Sequence, residues 1–180
     1  MPLTINIAGG ELWDQANDTF VVLKPMTITM EHSLLSISKW ESKYHKAFLT
    51  KAVKSPEEFL YYCKCMTISP SVPDIVYRTL STENQKKILD YIEDSHTATW
   101  FREEKEKPSR ETVTSELVYY WMVAFNIPFE CQKWHLNRLL TLIRICSKKN
   151  APPKKMSKRE LMERNKALNA ARRAKYHTKG

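Results

Sequence analysis

The sequence predicts an α+β fold, predominantly helical: a small N-terminal β unit, a helical body with a central αα-hairpin, and a basic C-terminal helix. Three observations predict it. Apolar residues near the N-terminus alternate singly with polar ones, as in "LTINI", the period of a half-buried strand. From Glu31 onward they recur at steps of three and four, the period of a helix face. Residues 148–180 then carry twelve Lys or Arg against two Glu, so a charged appendage follows the part that can fold on a core. With 180 residues, 42% of them hydrophobic, one core of ordinary size is affordable. The divisions fall at 1–30, 31–147 and 148–180.

Each element has its own signal. "LTINI" and the β-branched run "TFVVLKPMTITM" read as antiparallel strands, with "ELWDQAND" between them open as a helical turn or a loop. In "EHSLLSISKWESKYHKAFL", Ile37, Trp40, Tyr44, Ala47 and Phe48 fall on one helical face. Ser55-Pro56-Glu57-Glu58 is a start signal, with Ser as cap, Pro at the first helical position and Glu58 completing a capping box. That helix runs to about Met66, where "SPSVP" breaks the pattern. A short segment at Ile75 to Leu80 follows, and Ser81 or Thr82 opens another helix through Ile88, Leu89 and Ile92. "FREEKEKPSRE", residues 101–111, reads as an exposed loop.

The longest apolar passage, from Glu111 to Cys146, breaks only at Asn126-Ile127-Pro128, which predicts two antiparallel helices in contact. Val113, Leu117, Tyr120, Trp121 and Ala124 form the expected inner stripe of the first. Cys131, Trp134, Leu136, Leu139, Leu140, Ile143 and Cys146 supply the second, with Trp121 and Trp134 facing across the hairpin. "SKKNAPPKK" is a linker, and Ser157-Lys158-Arg159-Glu160 is a second capping box. The helix it opens has a thin apolar face, Leu161 and Leu168 one heptad apart, which fits a segment ordered by a partner.

Charge and residue chemistry narrow the function. The net charge of +9 divides into +10 for residues 148–180 and −1 for the rest, seventeen cations against eighteen anions. The basic tail could neutralise phosphates, but Tyr176 is its only Phe, Trp or Tyr, so single-stranded bases find little to stack on. No zinc-finger spacing, RNA-recognition signature or glycine-rich phosphate loop is present among three glycines. Nucleic acid is therefore the weaker reading and a protein surface the stronger. No cofactor or metal is called for. Cys63 and Cys65 form a C-x-C pair without the further ligands that zinc requires. Cys131 and His135, four apart, have the spacing of a nucleophile and base on one helical face, but no third orienting group accompanies them. The expectation is a core cysteine beside a boundary histidine and no catalytic residue. Glu103, Glu104 and Glu106 read as solvated charges. No run approaches the roughly 20 apolar residues of a membrane span, nor does a signal-peptide pattern follow Met1, so a cytoplasmic, membrane-free protein is expected. The adjacent aromatics Trp100 and Phe101 in "TATWF" are candidates for an apolar docking patch, and Arg159, Leu161, Arg164, Leu168, Arg172 and Arg173 for a docking face on the last helix.

The stretches "EHSLLSISKWESKYHKAFL", "YYCKCMTI", "TATWF", "TSELVYYWMVAFNIPFECQKWHLNRLLTLIRIC" and "APPKKMSKRELMERNKALNAARRAKYHTKG" resemble a family of small proteins encoded in the tail modules of siphophages and prophages. The resemblance covers about residues 28–180. It implies a small, mostly helical, non-enzymatic tail assembly chaperone, which in the host bacterial cytoplasm coats the tape measure protein before tail-tube subunits polymerise around it. Some family members also exist in a frameshift-extended form. The partners implied are the tape measure protein and the tail tube protein; a homo-oligomer is a separate expectation, from the thin apolar face of the last helix. A structural tail or connector component is the alternative within the same biology, and a basic nucleic-acid-binding accessory protein the alternative outside it.

Overall fold

A computed structural model of the chain describes residues 1–14, 18–50, 52–101, 111–152 and 157–177. The fold is α+β and predominantly helical. Residues Met1–Ser147 form one compact unit and Lys148–Gly180 a second.

The N-terminal strands are more regular than their sequence suggests. β1 (Leu3–Ile7) pairs antiparallel with β4 (Met26–Met30), and β2 (Gly10–Asp14) with β3 (Thr19–Leu23). Partner numbers add to the same value in both ladders, Leu3 with Met30 and Gly10 with Leu23, so the four strands are two halves of one long hairpin. The interruption falls at Pro25, which has no N–H to give a ladder. Gly9 lies against it: a Cβ there would sit 2.6 Å from the Pro25 ring and 2.9 Å from the Leu23 carbonyl oxygen. "ELWD", open between turn and loop in the sequence, is thus a strand, while Gln15–Asn17 lie outside the described residues.

The inner half of this hairpin belongs to the core. Ile5, Ile7, Ile28 and Met30 are buried, while on the other face the Thr27 hydroxyl donates to Asn6 Oδ1 at 2.9 Å. β4 is covered on its free edge by the chain around Met66–Ile68, where Ile68 N–H donates to the Thr29 carbonyl and Glu31 N–H to that of Met66, both at 2.8 Å.

α1 (Leu34–Tyr44) starts at Ser33, whose hydroxyl accepts from Ser36 N–H, and stops at His45, which takes the left-handed conformation. Ile37 and Trp40 are buried as its period requires. Ala47 and Phe48 lie past the helix end, contrary to the single long face expected. Phe48 still reaches the core, because the chain turns back and stacks its ring 4.1 Å from Tyr62 and 5.1 Å from Trp40. α2 (Pro56–Met66) carries the full Ser55–Glu58 capping box. Trp40 Nε1–H donates to the Glu58 carbonyl at 2.9 Å, fixing α1 on α2. α3 (Ile75–Arg78) is a single turn, and α4 (Thr82–Glu93) is capped by Ser81. Of α4's expected apolar residues, Ile88 is buried and Leu89 exposed.

The expected hairpin is changed most. α5 (Ser115–Ala124) buries Ser115, Val118 and Met122, a face rotated from the anticipated stripe, and Tyr120 and Ala124 are exposed. Its main neighbour is α1, not the helix that follows. The second helix, α6 (Leu136–Asn150), begins later than the apolar run suggests, after a 3-10 turn over Phe129–Lys133. The cause is tertiary: Ser33 and His135 form a β-bridge, and Leu136 N–H donates to the His32 carbonyl at 2.7 Å, holding this stretch extended until it passes the start of α1. Trp134 therefore sits outside the helix, half-buried beneath the Arg138 guanidinium at 4.3 Å. Among the described residues no ring contact joins it to Trp121. Trp40, 2% exposed, is the tryptophan of the core.

Candidate protein-binding surfaces

The second unit is built around α7 (Lys158–Tyr176), whose Ser157–Glu160 capping box is present in full and whose C-terminal His177 takes the left-handed conformation. Good helix formers throughout and two proper ends account for a helix here without tertiary support. None of its residues is buried. Leu161 and Leu168 are 47% and 46% exposed and Met162 is 73% exposed, a large apolar surface for a helix this polar. Helical geometry places Arg164 and Arg172 beside the leucine row, one turn from Leu168 on either side. Arg159, Lys166 and Arg173 repeat at heptad spacing on another face, where Arg159 Nε pairs with Glu163 Oε1 at 3.1 Å. The predicted docking residues of the tail therefore divide: Leu161, Leu168, Arg164 and Arg172 share one side, while Arg159 and Arg173 belong to another.

Trp100 and Phe101 also part company. Trp100 is 81% exposed, whereas Phe101 is half-buried with the Arg144 guanidinium 4.5 Å from its ring. They do not make one patch. The carboxylates of the neighbouring charged stretch, Glu103, Glu104 and Glu106, lie outside the described residues, as do residues 153–156 of the linker. A groove of about 450 Å³ between α5 and α6 is lined by Trp121, Phe125, Leu140, Ile143 and Arg144.

Chemical alternatives lose ground on geometry. Cys131 lies in the 3-10 turn and His135 in the extended stretch after it, so the spacing that suggested a shared helical face does not produce one. His135 instead bonds the Tyr91 carbonyl through Nε2 at 3.0 Å. It belongs to a buried aromatic seam, stacked at 4.0 Å on His96 and 5.1 Å from His32. His32 shares a 2.5 Å hydrogen bond with the Tyr62 hydroxyl. Burial, reinforced by the neighbouring histidines, holds His32 down to about 3, and burial likewise lowers His135. The Asp94 carboxylate approaches His96 Nδ1 at 3.1 Å but out of line for a hydrogen bond. Burial pushes the Cys63 thiol up to about 12 and raises Cys65, which disfavours a thiolate at either. Among the described residues no group of three or more His, Cys, Asp or Glu is arranged to hold a metal ion, and no helix is long and apolar enough to cross a membrane.

One surface escaped the sequence reading. On the β2–β3 arm, Trp13 pairs with Phe20 and Glu11 with Val22, so all four lie on one face. Trp13, Phe20 and Val22 are 48%, 67% and 68% exposed, with the two rings in edge contact at 4.8 Å. The signal available was the polar run "DQAND" between "ELW" and "TFVVL", a turn-like composition between two apolar segments.

Comparison of the chain with protein-family models, with curated proteins and with solved structures gives no match.

Proposed function

We propose that this protein is a non-catalytic tail assembly chaperone that binds the phage tape measure protein during tail morphogenesis in the host cytoplasm, with α7 as a docking element. The observation that carries the reading is a capped helix of 19 residues, about 28 Å long at 1.5 Å per residue, with no buried side chain and a row of exposed leucines. Such a helix gains stability by laying its apolar row on another helix. A tape measure protein, long and helical by the resemblance drawn from the sequence, offers that surface. The flanking arginines suit an acidic rim on the same partner and speed encounter with it.

The test is capture of the tape measure protein from co-expressing cells by the tagged full chain. Wild type is expected to retain it, and Leu161→Gln with Leu168→Gln to lose most of it while keeping the helical content of the body. Mass spectrometry of purified virions separates the structural-component alternative: a chaperone is absent from finished particles, and a fixed copy number there overturns the proposal.

A further inference from the structure

We propose that the exposed face of the β2–β3 arm is a docking site for α7 of a second copy of this chain, so that the protein associates with itself by arm-to-tail contacts. This association requires no other partner; it uses the leucine row of α7 that the proposed function lays on the tape measure protein, so the two contacts alternate on one face.

The arm has the features of an uncovered interface. A two-stranded ribbon is marginal by itself in water, and β2 and β3 are bonded only to one another in the sheet. Their common face presents Trp13, Phe20 and Val22 to solvent. Aromatic side chains at that exposure are the usual anchors of protein contacts.

Charge selects the occupant. From Gly10 to Leu23 the chain carries Glu11, Asp14 and Asp18 and no Lys, Arg or His, a net −3 for the segment, and the register sets Glu11 on the apolar face itself. A second arm would bring like charge to like and is disfavoured. α7 carries seven Lys or Arg against two Glu over Lys158–Tyr176, a net +5. Its leucine row is bordered by Arg172 and Lys175, four and seven residues beyond Leu168, which places cations next to the apolar strip. Leucines on aromatics with arginine and lysine at an acidic rim satisfies both surfaces at once. The two groups to be paired on the arm, Glu11 and Asp18, are exposed, so pairing leaves no charge buried alone.

Sedimentation velocity of the full chain tests this. Wild type is expected to associate with rising concentration, and association is expected to weaken at least tenfold from low to high salt, as screened charge pairs do. Two full-length, surface-only variants follow, each checked for wild-type helical content. Glu11→Lys with Asp18→Lys makes the arm basic against a basic tail, and Arg172→Glu with Lys175→Glu reverses the charge bordering the leucine row, setting carboxylates against an acidic arm. Each alone is expected to sediment as a monomer. Mixed in equal amounts they are expected to associate again, since every arm in the mixture then finds a leucine row bordered by charge of opposite sign. Phe20→Ser in the otherwise natural chain is expected to weaken association as well, showing that the apolar face is part of the contact. Monomeric wild type at all concentrations, variants that associate as wild type does, or a mixture that stays monomeric would each overturn the proposal.

Discussion

His135 donates through Nε2 to a backbone carbonyl, which leaves Nδ1 bare, buried and without a hydrogen-bond partner. A proton added there would set a positive charge in a buried seam, close to the rings of His32 and His96. Burial therefore holds both His32 and His135 below the ordinary histidine value. The consequence for stability has a definite sign. Unfolded, these two histidines take up protons as pH falls below about 6.5, whereas folded they do so lower, His32 near 3 and His135 below its ordinary value. Stability from these groups is thus complete above the unfolded value and is lost progressively as pH falls from there toward the folded one, at up to about 1.4 kcal/mol per pH unit for His32. We expect the denaturant midpoint to drop between neutral pH and pH 5. In His135→Gln, which keeps a donor for the Tyr91 carbonyl but cannot charge, the loss should be smaller. Equal acid slopes in the two proteins would show that His135 is not part of the titration. Three histidines from different segments thus share one seam: the His32, His96 and Tyr91 rings all meet His135.

At the scale of elements, one side chain settles where α5 lies. Glu41, in α1 and 7% exposed, accepts from Phe48 N–H through Oε1 and from Ser115 N–H through Oε2, both at 2.7 Å. It thereby satisfies the turn after its own helix and an otherwise open amide in the first turn of α5. Glu41→Gln replaces one acceptor with a donor facing a backbone N–H, and should cost about 1–3 kcal/mol. Chemical denaturation measures this directly, and a change under about 0.5 kcal/mol, the range of ordinary surface substitutions, would show that the clamp is unimportant. Nothing local in "KWESKY" distinguishes Glu41 from a solvated glutamate, so the contact was not legible in the sequence. The pattern holds more widely. Starts with a local chemical cause were legible, to the residue at Ser55 and Ser157 and to within one at Ser81, because a cap and its partner lie three residues apart. What the sequence hid depends on distant partners: the rotated face of α5 on α1, the delayed start of α6 set by His32, and the strand at β2, whose mate is β3. The candidate site was legible in part for the same reason. α7 makes its own ends and exposes its whole surface, so spacing alone located Leu161 and Leu168, while the arm face needed the β2–β3 register to bring Trp13 to Phe20.

The whole molecule joins a near-neutral unit to a strongly basic one, and this makes the two separable by experiment. No residue of α7 is buried, and the hydrophobic core is drawn entirely from residues up to Ile143, so burial gives the first unit no need of the second. Ending the chain after Ala151 removes ten of the twelve tail cations and both tail glutamates, leaving nineteen Lys or Arg against eighteen Asp or Glu, a net charge of +1 in place of +9. Stability should hardly move, with a denaturation midpoint within about 0.5 kcal/mol of the full chain, the range of changes that disturb no packing. Behaviour on polyanions should move a great deal. The full chain is expected to bind heparin or random duplex DNA at low salt and to release it steeply as salt rises, since such binding is counterion release and little else. The truncated chain should not bind at all under the same conditions. Changing Leu161 and Leu168 to Ala in the full chain then separates charge from packing: retention on the polyanion should be unchanged, because no cation is removed, while binding to a protein partner should fall. If the full chain instead holds DNA tightly at physiological salt, unaffected by the leucine changes, and protein binding is equally unaffected by them, the docking role of α7 is wrong and the basic tail is a nucleic-acid clamp.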